Sequence, residues 1–212
     1  VALNAIAYLL EIRHGGSLVG GPSRAVAAHY GATPYQLTHG HRPASVVTSL
    51  FVHASFLHLF GNMLFLALFG PTVEDSIGRL RFTAFYLLGG LLALACQIVG
   101  DPGSTVPALG ASGAIAAVLG GYILLYPRAR ILSLVLLVFF VTIVEVPAVL
   151  LLACWFLEQL YVGLDGLAGV GAIGSSGEVV AYFAHIGGFA FGLLAIRLFI
   201  RRRRASPTLP VY

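Results

Sequence analysis

Residues 109–126 read LGASGAIAAVLGGYILLY, eighteen residues without a charge. A lipid-spanning helix needs roughly 20 predominantly apolar residues. This stretch meets that need between two breaks: GDPGSTVP at 100–107 before it, and Tyr126-Pro127-Arg128 after it. One face reads Gly113, Ala117, Gly121, small residues at four-residue spacing that let a second helix approach closely. Its single hydroxyl before the terminal tyrosines, Ser112, sits near the start of the run.

Working outward, the same pattern recurs along the chain. Residues 1–12 look like the tail of a first span that is truncated at its N-terminus. Further spans are expected over 57–73, which stops at Glu74 and Asp75, over 82–99, over 147–163 with Pro147 opening the helix, and over 179–199. The apolar stretch 131–146, interrupted by Glu145, is expected to lie along one face of the membrane or to dip in and return. The stretch from Arg13 to about Thr48, rich in Gly and Pro, is too long for a plain connector and is expected to be structured. A Gly-rich loop is expected over 163–177, and the tail 205–212 is expected to be disordered.

The whole composition agrees. The 212 residues are 58% hydrophobic and only 9% charged, with a mean hydropathy of +0.94. A soluble domain carries about 25% charged residues, so the solvent for most of this chain is lipid. The length allows about six crossings in one bundle at roughly 20 residues each. Residues 1–200 are read as one membrane domain and 201–212 as a basic cytoplasmic tail. The net charge of +4 comes from arginine with no lysine, four of the arginines standing together at 201–204. Directly after an apolar run, such a cluster reads as a cytoplasmic anchor rather than a nucleic-acid site. Arg79, Arg81, Arg128 and Arg130 fall at span ends on that same side, so the basic side is read as cytoplasmic and the long 13–56 loop as facing outward. Two cysteines, Cys96 and Cys154, lie in apolar segments and read as small buried hydrophobes.

Polar groups inside spans are costly in lipid and each is a functional candidate. Four stand out: His58 and Asn62 in the second span, Ser112 in the fourth and His185 in the sixth. Ser112 is read as lying about three residues into its span and His185 about six, both within about 10 Å of the outer boundary at 1.5 Å rise per residue. His58 and Asn62 share one helix face through their i, i+4 spacing. In the sixth span Ala184, Gly188 and Gly192 make a second small-residue face. Packing that face on the fourth helix would bring Ser112 to His185, and a serine beside a histidine base is the minimal activated nucleophile. His58, Asn62 and the Ser112 amide could then hold a developing oxyanion. Each residue alone has a plainer reading: a membrane serine can bond its own i−4 carbonyl, and glycine faces by themselves mean only tight packing. His53, His58 and His185 could make a zinc site, but the five-residue spacing of the first two is not that of a helical ligand pair. No metal and no cofactor is expected.

Three strings, His53-Ala-Ser-Phe-Leu-His58-Leu-Phe-Gly-Asn62, Gly110-Ala-Ser112-Gly113 and Ala184-His185-Ile-Gly-Gly188, closely resemble the rhomboid intramembrane serine proteases, in that family's order. The resemblance covers about residues 50–200. It implies an all-α, six-helix membrane bundle with a long, partly embedded first outer loop. It implies that Ser112 is the nucleophile, His185 the general base, and His58, Asn62 and the Ser112 amide the oxyanion hole. Glu74 and Gly78 match positions that close the family's second helix, a structural role shared by Gly110, Gly113 and Gly188. The expected partners are transmembrane protein substrates and the lipid bilayer, with no nucleic acid. The expected site is a bacterial plasma membrane, with the active site opening outward. One departure is Ala116, where relatives often carry an aromatic residue against which the histidine packs; another side chain must orient His185. No acidic third residue is evident near His185, so the chemistry is expected to run on a dyad. Two other classes of membrane protein share part of this pattern. A non-catalytic scaffold would bind membrane segments in the same grooves without needing the serine and histidine together. A small transporter would show ionisable groups through the membrane's depth or matched broken helices.

Overall fold

A computed structural model describes residues 1–137, 140–167 and 181–200. The first helix, α1 (Ala2–Arg13), turns Asn4, Tyr8 and Glu11 inward and leaves Leu3, Ile6, Leu9 and Leu10 exposed. Polar-in and apolar-out is the inverse of a soluble helix and suits a lipid surround. Three short helices, α2 (Arg24–Tyr30), α3 (Pro34–Thr38) and α4 (Ser45–Thr48), give the long first loop the structure its length implied. That loop is sewn to the segment before Ser112. Ala32 and Ala108 exchange backbone hydrogen bonds, the Tyr35 N–H donates to the Ser104 carbonyl at 2.9 Å, and the Gly110 N–H donates to the Ser49 carbonyl at 2.9 Å.

The long helices follow. α5 (Phe56–Ile77) passes through Glu74 and Asp75 instead of stopping at 73. It ends where Gly78, at φ +87°, takes a backbone conformation open to glycine, and the Gly78 N–H caps the Glu74 carbonyl at 2.6 Å. Glu74 also pairs with Arg79 at 3.5 Å. α6 (Arg79–Gly100) leads through the loop to α7 (Ser112–Leu125). Ser112 is therefore the first residue of its helix, not the third or fourth of a longer one. The physical reason lies just before it: Gly110, at φ +110° and bonded to Ser49, keeps the chain out of helical conformation until Ala111.

The described fold is not purely α. β1 (Arg130–Leu137) and β2 (Phe140–Pro147) form an antiparallel hairpin in which Arg130 pairs with Pro147 and Ile131 with Val146. The segment is rich in Val, Ile and Leu, which favour a pleated pair over an isolated short helix. Pairing satisfies the backbone groups that face the partner strand and leaves the outer edge of each strand open. Its register also returns the chain to where it left, so the hairpin adds no net crossing. α8 (Ala148–Leu167) starts directly after Pro147, as expected, and runs into the segment read as a Gly-rich loop. The rest of that loop, the start of the sixth span before 181, and the tail with Arg201 to Arg204 lie outside the described residues. α9 (Tyr182–Phe199) completes the bundle.

α7 is the axis of the molecule. Every residue from Gly113 to Tyr122 is buried, and its most extensive neighbour is α9, with α6 and α5 on its other sides. Glycines make this possible. A Cβ at Gly188 would strike the Gly113 carbonyl, one at Gly192 the Ala117 carbonyl, and one at Gly120 the Phe189 carbonyl. Helix ends are matched as the arginines suggested: Arg81 donates to the carbonyls of Phe199 and Ile200 at 3.1 Å each, and Ser76 meets the Tyr126 hydroxyl at 2.5 Å. α5, α6 and α9 are long and apolar enough to cross a membrane, while α7 and the apolar part of α8 are shorter. Cys96 and Cys154 are free and exposed, not buried, although Cys96 lies beside Gly187 of α9. An apolar segment in lipid has an apolar outside too, so sequence hydropathy did not distinguish the two.

Candidate active site at the α7–α9 seam

The seam sets the level of the site. With Gly188 lying on the Gly113 carbonyl, the residue one turn before it on α9 and the residue beginning α7 face each other. Ser112 Oγ lies 2.8 Å from His185 Nε2. The two are 73 positions apart in sequence and meet because small side chains let two backbones touch.

The third wall is the start of α5. Ser55 caps this helix, its hydroxyl accepting the His58 N–H at 3.2 Å, the usual use of serine before a first turn. That cap fixes His58 in the first turn and Asn62 one turn later. Behind them, His53 is wholly buried with its ring edge-on to His58, centroids 5.4 Å apart. His53 Nδ1 donates to the Phe51 carbonyl at 3.1 Å. Burial, and secondarily the nearby His58, lower the His53 pKa to about 4 and hold the ring neutral. His53 thus buttresses His58 and does not enter the site.

Gly110 closes the corner for two reasons. Its φ of +110° suits glycine, and a Cβ there would lie 2.8 Å from the His58 ring and 3.4 Å from Asn62 Nδ2. Asn62 is buried, and its Nδ2 has no hydrogen-bond partner among the described residues. A buried amide donor left unpaired costs free energy, and this one borders a cavity of about 600 Å³ that Ser112, His185, His58 and Asn62 all line. The backbone adds to it, because the first N–H groups of α7, from Ser112 onward, have no acceptor within the helix.

The floor of the cavity is apolar: Phe65, Ile115, Ala116 and Leu119. Ala116 leaves the histidine ring without an aromatic partner from α7, and α8 provides one. Trp155 lies with its ring centroid 5.6 Å from that of His185, tilted 39°, and also contacts Phe189. From one turn further along α8, Gln159 Oε1 reaches His185 Nδ1 at 2.5 Å. Neither residue was singled out in the sequence. The available signals were a lone tryptophan and a glutamine inside an apolar run, one turn apart.

The chain belongs to the rhomboid family: the model of the Rhomboid domain matches residues 40–202. It is an integral, multi-pass membrane protein. Among its curated relatives, Rhomboid protein 1, mitochondrial, from Saccharomyces cerevisiae is 37% identical over 95 residues, 43% of this chain and 28% of the relative. RHOMBOID-like protein 5 from Arabidopsis thaliana is 30% identical over 100 residues, 47% of this chain and 32% of that protein. The human presenilin-associated rhomboid-like protein, mitochondrial, is 34% identical over 88 residues, 41% of this chain and 23% of the relative. The matched stretches thus span about a quarter to a third of these proteins.

Proposed function

We propose that this chain is an intramembrane serine endopeptidase that hydrolyses peptide bonds in or near the transmembrane segments of other membrane proteins. The observation that carries the reading is the Ser112–His185 hydrogen bond, 2.8 Å long, at the edge of a cavity supplied with an unspent donor. Ser112 Oγ attacks the scissile carbonyl while His185 Nε2 takes its proton. The C–N bond then breaks as that proton passes to the departing amine, and water resolves the acyl-enzyme by the same route. The negative oxygen of the tetrahedral intermediate is held by Asn62 Nδ2, the Ser112 N–H and His58, with the N-terminal dipole of α7 adding to them.

A helical amide shields its own carbonyl, so the substrate segment unwinds before it is cut. Single-pass proteins with helix-weakening residues and a small residue at the cleavage point fit this requirement by family resemblance. In this reading the bundle crosses the membrane six times, with α1, α7 and α8 joining α5, α6 and α9. The C-terminus is cytoplasmic, the active site opens outward, and the home is a bacterial plasma membrane.

A serine-directed fluorophosphonate tests the chemistry. The purified protein is expected to label at Ser112, and Ser112→Ala is expected not to label. A folded wild-type protein that never reacts would leave a non-catalytic scaffold in its place. For orientation, Thr142→Cys on the exposed face of β2 is expected to react with impermeant reagents only from the cytoplasmic side. Labelling from outside would overturn the assignment of sides.

A further inference from the structure

Gln159 is 5% exposed, on a helix whose other exposed residues are mostly apolar. An amide buried there needs partners for both of its ends. Its two ends are used differently. Nε2 donates to the carboxylate of Glu158, and Oε1 faces His185 Nδ1 at 2.5 Å. The orientation of the amide is not arbitrary: turned over, it would set its carbonyl against a carboxylate and its NH₂ against the histidine. With Oε1 toward the ring, the Nδ1 position must carry the hydrogen, because an amide oxygen can only accept. Nε2, 2.8 Å from Ser112 Oγ, is then left with its lone pair directed at the hydroxyl hydrogen. That is the tautomer a general base requires.

We propose that Gln159 is the positioning residue for His185, completing a Ser112–His185–Gln159 relay in which an uncharged amide does the work of an orienting acid. The inference rests on the protease reading and refines it: the pair anticipated from sequence has a third member, contributed by α8. Gln159 acts only through the imidazole and touches no substrate. Trp155 shares the task by covering one side of the ring, but it makes no hydrogen bond that selects a tautomer. During acyl transfer the imidazolium needs an acceptor at Nδ1, and Gln159 Oε1 provides it without moving. Glu158, anchoring the far end of the amide, is the charged group on α8 nearest the relay, and His58 on α5 faces the ring from the other side.

The proposal is tested on the full chain in detergent or bilayers, with a fluorophosphonate as probe. Gln159→Met keeps the volume and removes the acceptor. It is expected to lower the maximal rate of Ser112 modification by about tenfold, the scale of one lost hydrogen bond in a low-dielectric site, while leaving the probe's apparent affinity unchanged. Gln159→Glu combined with Glu158→Gln restores an acceptor toward His185 and a donor at the far end, and is expected to recover most of that rate. A folded Gln159→Met that reacts at the wild-type rate would overturn the role of Gln159 and leave the nucleophile assignment intact. Failure of the wild type itself to react would remove both. Independently of any variant's folding, ¹⁵N resonances of His185 in the wild-type protein are expected to show a protonated Nδ1 and a bare Nε2. The opposite tautomer would overturn the proposal.

Discussion

α7 and α8 stand on opposite terms with the rest of the molecule. α7 is buried from Gly113 through Tyr122, enclosed by α5, α6 and α9, and built from glycine, alanine and a few aliphatics. α8 meets the bundle mainly along one side, against α9, and leaves Leu150, Leu157, Tyr161 and Leu164 exposed. Each supplies the site in its own manner. α7 brings its backbone: Ser112 at the helix start, free N–H groups, and a surface smooth enough for α9 to lie against. α8 brings long side chains, Trp155 and Gln159, that reach across to a histidine it does not closely approach. A helix that touches its neighbours by backbone tolerates almost no change, whereas one that reaches by side chain can shift without losing the seam.

The largest effects are expected where the comparison turns into chemistry. Ser112→Ala and His185→Ala should each abolish cleavage of a tagged membrane segment, with the protein still folded in detergent because each change removes a polar group from an apolar setting. Substantial activity in either variant would sink the nucleophile and base assignments. Asn62→Ala should come next, reducing kcat by about 10²–10³ with little change in KM, since an oxyanion donor acts chiefly in the transition state. A change confined to KM would make Asn62 a binding residue instead.

Two glycine substitutions then weigh the seam against the side-chain contact. Gly192→Val on the α7 face of α9 should destabilise the fold by about 3 kcal/mol, because the added groups run into the backbone carbonyl of Ala117 and neither helix can yield. Thermal unfolding in detergent will read this directly, and an unchanged midpoint would mean that the helices are less tightly apposed than described. Gly163→Ala on α8 should be the mildest change. Its Cβ would lie 3.3 Å from Ile186 Cδ1, a side-chain end that can give way, and 3.2 Å from the Tyr182 Cβ, which a slight shift of the loosely packed α8 relieves. The gain in helix propensity, roughly 1 kcal/mol, should offset the crowding and leave stability near the wild-type value. A loss comparable to that of Gly192→Val would erase the distinction between the two helices.

The sequence alone determined that this is a membrane bundle, which residues carry its motifs, and which helix faces are small enough to pair. Hydropathy, glycine spacing and rare polar residues in lipid are local properties with one dominant physical meaning, so His58, Asn62, Ser112 and His185 could be singled out without coordinates. Only the tertiary structure decided the rest. Ser112 begins its helix because the backbone around Gly110 is bound to Ser49 in a distant loop. Arg130–Leu137 and Phe140–Pro147 became paired strands because strand pairing depends on a partner that periodicity does not reveal. Gln159 and Trp155 gained their place from the packing of α8 on α9: a glutamine in an apolar run signals that a partner is needed, and which partner it finds is a matter of three-dimensional proximity.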